Sequence, residues 1–202
     1  MARKTRIAVF VSGGGTNLQA LLEAERDGII TDGEIVLVLS NNPNAYALER
    51  AKAFGVEGIC VDKKEYPDLA SRERETVRIL EEKQIDLIVL AGYLSILSAE
   101  FTARYEGRII NVHPSLIPSF CGKGYYGLKV HEAALSYGVK VTGATVHYVN
   151  EIPDGGKIIA QRAVEIQEGD TPELLQKRVM QEAEWKILPL ATQIVSKKLR
   201  GV

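Results

Sequence analysis

Three polar side chains in the second half of the chain have the types and spacing that acid–base chemistry needs. Residues 108–118, RIINVHPSLIP, begin as an apolar run and place Asn111 and His113 two positions apart. Side chains at this spacing on an extended strand project from the same face, so an amide and an imidazole should lie side by side. Asp154 stands directly before a glycine pair, in a predicted tight turn.

These three groups together favour acyl transfer. A carboxylate held against an imidazole fixes its tautomer and favours the protonated ring, which makes His113 a candidate acid or base near neutral pH. The N–H2 of Asn111 could donate to a developing oxyanion. The residues do not specify the acyl group. The alternative is a strand-end histidine bonded to a loop carbonyl, with Asp154 serving only in its turn.

Metal and thiol chemistry are weaker alternatives. The three histidines, His113, His131 and His147, fall within 35 residues, and the only cysteines are Cys60 and Cys121. A zinc site needs three or four ligands, commonly with a closely spaced pair, and these spacings supply none, so we expect no metal. Neither cysteine has the surrounding pattern of a nucleophile or a disulfide framework.

A glycine-rich turn near the amino end is a second candidate site. An apolar strand at 6–12 runs into three glycines at 13–15, and a helix follows, with Thr16 or Asn17 predicted as its N-cap. Free N–H groups at a helix N-terminus bind anions. Leu18 occupies the third glycine position of the dinucleotide fingerprint, and no Gly-Lys-Ser/Thr follows, so a phosphate monoester is the better prediction. A tight turn without a ligand is the alternative.

The order of the elements predicts an α/β fold with an open, mostly parallel twisted sheet and helices on both faces. We expect one domain, residues 1–202, without a linker or repeats. Strands are predicted at 6–12, 34–39, 57–61, 85–91, 109–113, 140–150 and 157–164, and helices at 18–28, 45–54, 68–84, 128–137 and from 171 onwards. The last helix should bury a stripe that includes Leu174 and should kink at Pro189.

Composition excludes several classes of protein. The 202 residues are 46% hydrophobic and 25% charged with a net charge of −1, which is typical of a soluble globular protein. The absence of a basic excess argues against nucleic-acid binding by phosphate neutralisation. No apolar run approaches the ~20 residues of a membrane span, and the amino-terminal run is too short for a signal peptide. We therefore expect a cytoplasmic protein.

The motifs also carry a family resemblance. Asn-x-His-Pro-Ser-Leu-x-Pro at 111–118, with Asp-Gly-Gly some forty residues later at 154–156, resembles the signature of folate-dependent formyltransferases. Ser-Gly-Gly-Gly-Thr-Asn-Leu-Gln at 12–19 and Leu-Ala-Gly-Tyr-Leu at 90–94 extend the likeness over nearly the whole chain. It implies a Rossmann-like half at about 1–100 for phosphate or nucleotide binding, and a half at about 101–202 for folate binding and catalysis.

The resemblance implies a specific reaction in de novo purine biosynthesis. The amine of glycinamide ribonucleotide would attack the formyl carbon of the co-substrate 10-formyltetrahydrofolate directly, without a covalent formyl-enzyme. Asn111 would polarise the formyl oxygen, and His113 would stabilise the tetrahedral intermediate and help to move its proton. Asp154 would keep His113 charged and orient a relaying water.

The resemblance also assigns residues to the two substrates, both small molecules, in a monomer or homodimer. The substrate phosphate would bind Gly15, Thr16 and Asn17, the glycinamide end would contact Glu184, and folate would bind Arg72, Leu94, Ser95, Ile96, Leu97, Asn150, Glu151, Ile152 and Pro153. The sequence departs from the family pattern at three points. Ser95 stands where some members carry arginine, Lys129 where some carry histidine, and one extra residue is present near Glu184.

Two other functions remain open at this point. The first is another folate enzyme, either a formyltetrahydrofolate hydrolase or a transformylase acting on methionyl-tRNA or a sugar nucleotide. Those enzymes are expected to be longer and to carry additional domains. The hydrolase would also use water rather than an amine as its nucleophile. The second is a phosphosugar-binding module without catalysis, which would need the glycine turn but not Asn111, His113 and Asp154.

Overall fold

Seven strands form one open sheet in the order β3-β2-β1-β4-β5-β6-β7 in the computed structural model, which describes residues 3–201. The strands are β1 Thr5–Val11, β2 Gly33–Ser40, β3 Glu57–Cys60, β4 Leu87–Leu90, β5 Ile109–His113, β6 Val141–Tyr148 and β7 Ile158–Glu165. The first five pair in parallel, whereas β6 and β7 pair antiparallel. The predicted open, mostly parallel sheet is confirmed.

Helices cover both faces of this sheet, as predicted. They are α1 Thr16–Arg26, α2 Tyr46–Ala53, α3 Leu69–Glu82, α4 Ala99–Arg104, α5 Leu128–Tyr137, α6 Pro172–Val179 and α7 Trp185–Leu199. One buried apolar cluster joins the sheet to α1, α2, α6 and α7, and a second joins the opposite face to α3 and α4. Because both faces are covered, the central parallel strands are apolar on both sides.

The first helix begins differently from the prediction. Gly15 is its N-cap, in a left-handed conformation with φ 72°, and no side chain caps the helix. The predicted cap by Thr16 or Asn17 is therefore wrong. The reason lies in tertiary contacts, because Asn17 is buried and its side chain bonds to Glu184 in the carboxyl-terminal segment. The free N–H groups of the first turn thus remain without a side-chain cap.

The carboxyl-terminal helix has an interruption that the sequence pattern did not predict. A π-helical turn, Met180–Glu184, separates α6 from α7, and α7 continues through Pro189. A π turn holds one extra residue, which accounts for the insertion expected near Glu184. Leu174 is 54% exposed and not part of the buried stripe, because the adjacent Leu175 faces the core instead.

The loops at the carboxyl ends of three parallel strands are tied to one another. The Ser12 hydroxyl accepts a hydrogen bond from the Leu94 N–H at 2.9 Å, and Asn42 Nδ2 donates to the Ser12 carbonyl at 3.1 Å. Asn41 Nδ2 donates to the Ser95 hydroxyl at 2.6 Å. The strand order reverses at β1, which lies between β2 and β4, and crevices at such switch points are where α/β sheets bind ligands. No helix within residues 3–201 is both long and apolar enough to cross a bilayer.

Candidate active site

Asn111, His113 and Asp154 converge on one face of β5. Asn111 and His113 alternate with Ile110 and Val112, which pack into the core on the opposite face. His113 is 5% exposed, and its Nδ1 lies 3.5 Å from Asp154 Oδ2. The predicted juxtaposition of an amide, an imidazole and a carboxylate is thus present in the structure.

Asp154 is held in a tight turn over this face of the sheet. Its φ is 56°, a left-handed conformation that aspartate adopts more readily than most residues. Gly156 lets the turn approach β6 closely, because a Cβ there would lie 1.7 Å from the Tyr148 carbonyl oxygen. The Gly122 N–H donates to Asp154 Oδ2 at 2.8 Å, so the loop after β5 also fixes the carboxylate.

His147 is a fourth member of this cluster. It pairs directly with Asn111 across β5 and β6, and its Nε2 lies 3.2 Å from Asn111 Nδ2 and 3.5 Å from Asp154 Oδ1. Its Nδ1 lies 2.8 Å from the Tyr148 carbonyl oxygen. The sequence places this histidine in the predicted strand at 140–150 and does not indicate its contacts. Only the strand register, which the sequence does not supply, reveals the contact with Asn111.

Burial and neighbouring groups have opposing effects on the pKa of His113 and on the pKa of Asp154. Burial lowers the pKa of His113, and this effect outweighs the opposing influence of the Asp154 carboxylate and of the Phe120 carbonyl. Asp154 thus favours the charged form of His113 and burial opposes it more strongly, so the role of Asp154 in keeping His113 charged stays a prediction. Burial raises the pKa of Asp154, but His147, His113 and the Gly122 N–H together lower it below its ordinary value.

Both ring nitrogens of His113 face acceptor atoms, the Phe120 carbonyl oxygen at Nε2 and Asp154 Oδ2 at Nδ1, and the uncharged ring can donate to only one of them. Nε2 lies 2.8 Å from the carbonyl oxygen of Phe120, which can only accept, so Nε2 carries the proton and donates it. Phe120 itself has φ 49°, an uncommon conformation for a bulky residue. The loop after β5 therefore contributes a backbone carbonyl to the cluster, a contact that no side-chain pattern could have indicated.

The remaining histidine and the loop cysteine lie near this cluster without a matching chemical role. His131 is fully buried on α5, and burial, together with His113, lowers its pKa to about 4. Burial and Asp154 raise the pKa of the Cys121 thiol, which donates to the Pro118 carbonyl. Among residues 3–201, no group of three or more His, Cys, Asp or Glu side chains could hold a metal ion.

The predicted phosphate site lies on the glycine turn, with α2 as its floor. A Cβ on Gly15 would meet the Ala47 Cβ at 2.6 Å, and the Ala47 N–H donates to the Gly13 carbonyl at 3.1 Å. Arg50 Nε donates to the Gly14 carbonyl at 2.8 Å and its Nη1 to Gln19 Oε1 at 3.1 Å. The turn therefore has free helix N–H groups and a nearby cation, Arg50. The hydrogen-bond acceptors of Arg50 are neutral, so they do not offset its positive charge.

Glu184 and Asn17 form a buried polar pair beside the turn. Asn17 Nδ2 donates to Glu184 Oε2 at 2.6 Å, and Glu184 is 6% exposed. Burial raises the pKa of Glu184 to about 6, although the bond from Asn17 opposes the shift. Thr16 lies close by, with its hydroxyl 3.8 Å from Met180 Sδ. The predicted phosphate-binding and glycinamide-binding residues are thus neighbours.

Most of the predicted folate residues lie in two places. Arg72, Ser95, Ile96 and Leu97 line a cleft of about 10 Å³, and residues 150–153 form the loop that leads to Asp154. Apolar side chains project into solvent from both segments: Leu94 is 70% exposed, Ile96 76% and Ile152 58%. Arg72 donates to the Tyr66 and Pro67 carbonyls instead of lying free on the helix surface.

A larger cavity, of about 610 Å³, lies along α1 and α7. It borders the glycine turn at Thr16 and Arg50, and Arg162, Trp185 and Lys186 line its other side. Asn111, His113 and Asp154 do not line it. The catalytic candidates therefore lie outside this cavity, around the carboxyl end of β5.

Comparison with known proteins assigns the family. Residues 5–192 match the family model described as formyl transferase. The chain belongs to the formyl transferase family. This match covers the glycine turn, the strand with Asn111 and His113, and the Asp154 turn, so the whole cluster lies within the family's common region.

Individual formyl transferase relatives are similar over most of this chain. The chloroplastic phosphoribosylglycinamide formyltransferase of Arabidopsis thaliana is 41% identical over 89% of the chain, and the chain spans 62% of it. The trifunctional purine biosynthetic protein adenosine-3 of Gallus gallus is 42% identical over 96% of the chain, which spans 18% of that protein. The crystal structure of phosphoribosylglycinamide formyltransferase from Brucella melitensis superposes with TM-score 0.88 and 40% identity, covering 96% of both chains.

Proposed function

We propose that this formyl transferase moves the formyl group of 10-formyltetrahydrofolate to the amine of glycinamide ribonucleotide. The observation that carries the proposal is the convergence of Asn111, His113 and Asp154 on one face of β5. The names of the Arabidopsis and Brucella relatives support the same acceptor, and the Brucella protein matches this chain over nearly the full length of both.

The reaction begins with attack of the glycinamide nitrogen on the formyl carbon. A C–N bond forms and the carbonyl electron pair moves to oxygen, giving a tetrahedral oxyanion. The N–H2 of Asn111 donates to this oxyanion, and His113 stabilises the same charge. Collapse of the intermediate breaks the bond to the folate nitrogen, which takes up a proton as the attacking nitrogen loses one.

His113 moves that proton with help from Asp154. Burial lowers the pKa of the imidazole and so favours its uncharged form before the substrates bind. A developing negative charge on the substrate adds to that of Asp154 and favours the imidazolium. Because Nε2 donates to the Phe120 carbonyl and Nδ1 faces Asp154, one of the two nitrogens must turn away from its neighbour when His113 contacts the reacting atoms.

The rest of the crevice positions the two substrates. The phosphate of glycinamide ribonucleotide binds the N–H groups of residues 15–17, with Arg50 close enough to favour a dianion. The Glu184 carboxylate accepts from the glycinamide end. Folate lies against the exposed apolar side chains of the loops after β4 and β6, where burial of Leu94, Ile96 and Ile152 favours binding.

The experiment that tests this function is a spectroscopic assay of 10-formyltetrahydrofolate consumption with and without glycinamide ribonucleotide. We expect consumption only when the amine is present, with one formylated product formed per folate consumed. Consumption at the same rate without the amine would identify a hydrolase. No consumption under either condition, with phosphate-ester binding retained, would indicate a phosphosugar-binding module.

A further inference from the structure

We propose that His147 is a positioning residue that turns the Asn111 amide so that one of its N–H groups points at the formyl oxygen. This inference rests on the proposed function, because that function is what gives Asn111 its reacting partner. The role belongs to a residue outside the Asn111, His113 and Asp154 set. It is derived from strand register and hydrogen-bond chemistry.

The two side chains face each other across the sheet. Asn111 on β5 and His147 on β6 are direct partners in the antiparallel register, so both project from the same face. Their nearest atoms, Asn111 Nδ2 and His147 Nε2, lie 3.2 Å apart. His147 is 2% exposed, so its ring has no access to solvent as an alternative partner.

The other ring nitrogen fixes the tautomer. His147 Nδ1 lies 2.8 Å from the Tyr148 carbonyl oxygen, and a carbonyl can only accept, so Nδ1 carries a proton. In the uncharged ring, Nε2 is then an acceptor. Only the nitrogen end of the Asn111 amide can donate to it, so the amide cannot turn its oxygen toward His147.

This constraint decides what Asn111 presents to a substrate. One N–H of the amide is used by His147, and the second N–H remains available to an oxyanion. If the amide were turned over, its oxygen would occupy the position of Nδ2. It would then face the substrate oxyanion on one side and the Nε2 lone pair of His147 on the other. Both contacts would be repulsive.

Asp154 is the competing partner. Its Oδ1 lies 3.5 Å from the same Nε2, compared with 3.2 Å for Asn111 Nδ2. A proton on Nε2 would donate to Asp154, the contact through which His147 lowers the pKa of that carboxyl, and would leave Asn111 to present its oxygen. The shorter distance is to the amide nitrogen, so we assign the Nδ1–H tautomer as the form that prepares Asn111 for catalysis.

Two substitutions separate positioning from packing. His147→Asn keeps a group near the Tyr148 carbonyl but has no atom at the Nε2 position, whereas the longer side chain of His147→Gln can place an acceptor there. We expect His147→Asn to lower kcat ~10- to 100-fold, less than the ~10²–10³ of a lost oxyanion donor, with both KM values nearly unchanged. His147→Gln should recover most of the rate.

A double-mutant cycle gives the decisive readout. If His147 acts through Asn111, then His147→Asn should have almost no further effect on kcat in an Asn111→Ala background. Equal fold losses in both backgrounds would overturn the inference, because a residue that only supports the fold would act independently of Asn111. Absence of formyl transfer by the wild-type protein would instead overturn the proposed function.

A spectroscopic measurement tests the tautomer without any variant that must stay active. In the 15N-labelled wild-type protein, long-range 1H–15N correlations of the imidazoles should show His147 as the Nδ1–H tautomer, with the signal assigned by its loss in His147→Gln. An Nε2–H tautomer or an imidazolium at the working pH would overturn the inference.

Discussion

At the scale of single residues, the buried Glu184 carboxyl lowers folding stability at neutral pH. Its carboxyl is buried beside Asn17 with a pKa raised to about 6 from an ordinary value of 4.5. A carboxyl whose pKa is higher in the folded state binds a proton more tightly there, so its contribution is most favourable below pH 4.5. That contribution is lost as the pH rises through about 6.

We therefore predict that Glu184→Gln removes a pH-dependent penalty. Relative to wild type, the free energy of unfolding of the variant should rise by about 1 kcal/mol between pH 5 and pH 8, as expected for a shift of this size. Urea unfolding at the two pH values measures it. Glu182→Gln, an exposed position in the same π turn, is the control and should show no such trend. An equal effect of both substitutions would contradict the assignment.

The residues of the site differ in how far sequence could identify them. Asn111 and His113 were predictable because the period of a strand places them on one face, and Asp154 because it precedes a glycine pair. His147 was not, since its contact depends on the register between β5 and β6. The Phe120 carbonyl and the Gly122 N–H are backbone groups, so no side-chain pattern carries information about them.

At the scale of elements, the glycine turn depends on its contact with α2. Gly15 combines a left-handed φ of 72° with the absence of space for a Cβ next to Ala47. Gly28, at the other end of α1, has a similar φ of 76° but nothing within 4 Å of an added Cβ. Alanine at Gly28 therefore tests backbone strain alone, whereas alanine at Gly15 tests strain together with displacement of the turn.

We predict different outcomes for alanine at these two positions. The left-handed backbone should lower stability by roughly 1–2 kcal/mol in both variants, and the clash with Ala47 should add a further loss in Gly15→Ala. Only Gly15→Ala should raise the KM for glycinamide ribonucleotide, by about tenfold or more, as expected for loss of one hydrogen bond to a charged group. Steady-state kinetics measures the difference, and the same KM in both variants would place the phosphate elsewhere.

The π turn gives a second prediction at this scale. Its extra residue lets α6 and α7 both keep their apolar faces on the sheet. Deletion of the exposed Gln181 should convert the turn to α-helix without rotating either flank. Deletion of the exposed Ile194 in the regular part of α7 should rotate the remainder of that helix by about 100° and expose buried residues. Thermal unfolding should show a much larger loss for the second deletion, and equal losses would contradict this explanation of the π turn.

The elements themselves were largely predictable, and their ends were not. Alternating apolar strands and helical stripes indicated the α/β sheet with two covered faces, since each element must bury an apolar face. The predicted strand at 85–91 is Leu87–Leu90, and the predicted helix at 68–84 is Leu69–Glu82. The cap of α1 differs from the prediction because Asn17 bonds to Glu184 in the π turn, and these two residues lie far apart in sequence.

At the scale of the whole molecule, the sheet brings together groups from distant parts of the chain. In the proposed reaction the turn after β1 would position the phosphate, the carboxyl-terminal segment would add Glu184, and β5 with the loop before β7 would supply the catalytic cluster. Bonds from Leu94 and Asn42 to Ser12 tie together the loops that we propose hold the two substrates. Formyl transfer should depend on the Asp154 carboxylate because Asp154 belongs to the proposed catalytic cluster. This residue lies far from the phosphate turn in sequence.

The single-turnover rate of formyl transfer in Asp154→Asn, with both substrates saturating, tests this dependence most directly. Asp27→Asn, an exposed position at the end of α1, serves as the matched control. We predict a rate lowered by about 10² or more in Asp154→Asn, in line with loss of acid–base and electrostatic assistance, and a wild-type rate in the control. A wild-type rate in a folded Asp154→Asn protein would contradict the role assigned to this carboxylate.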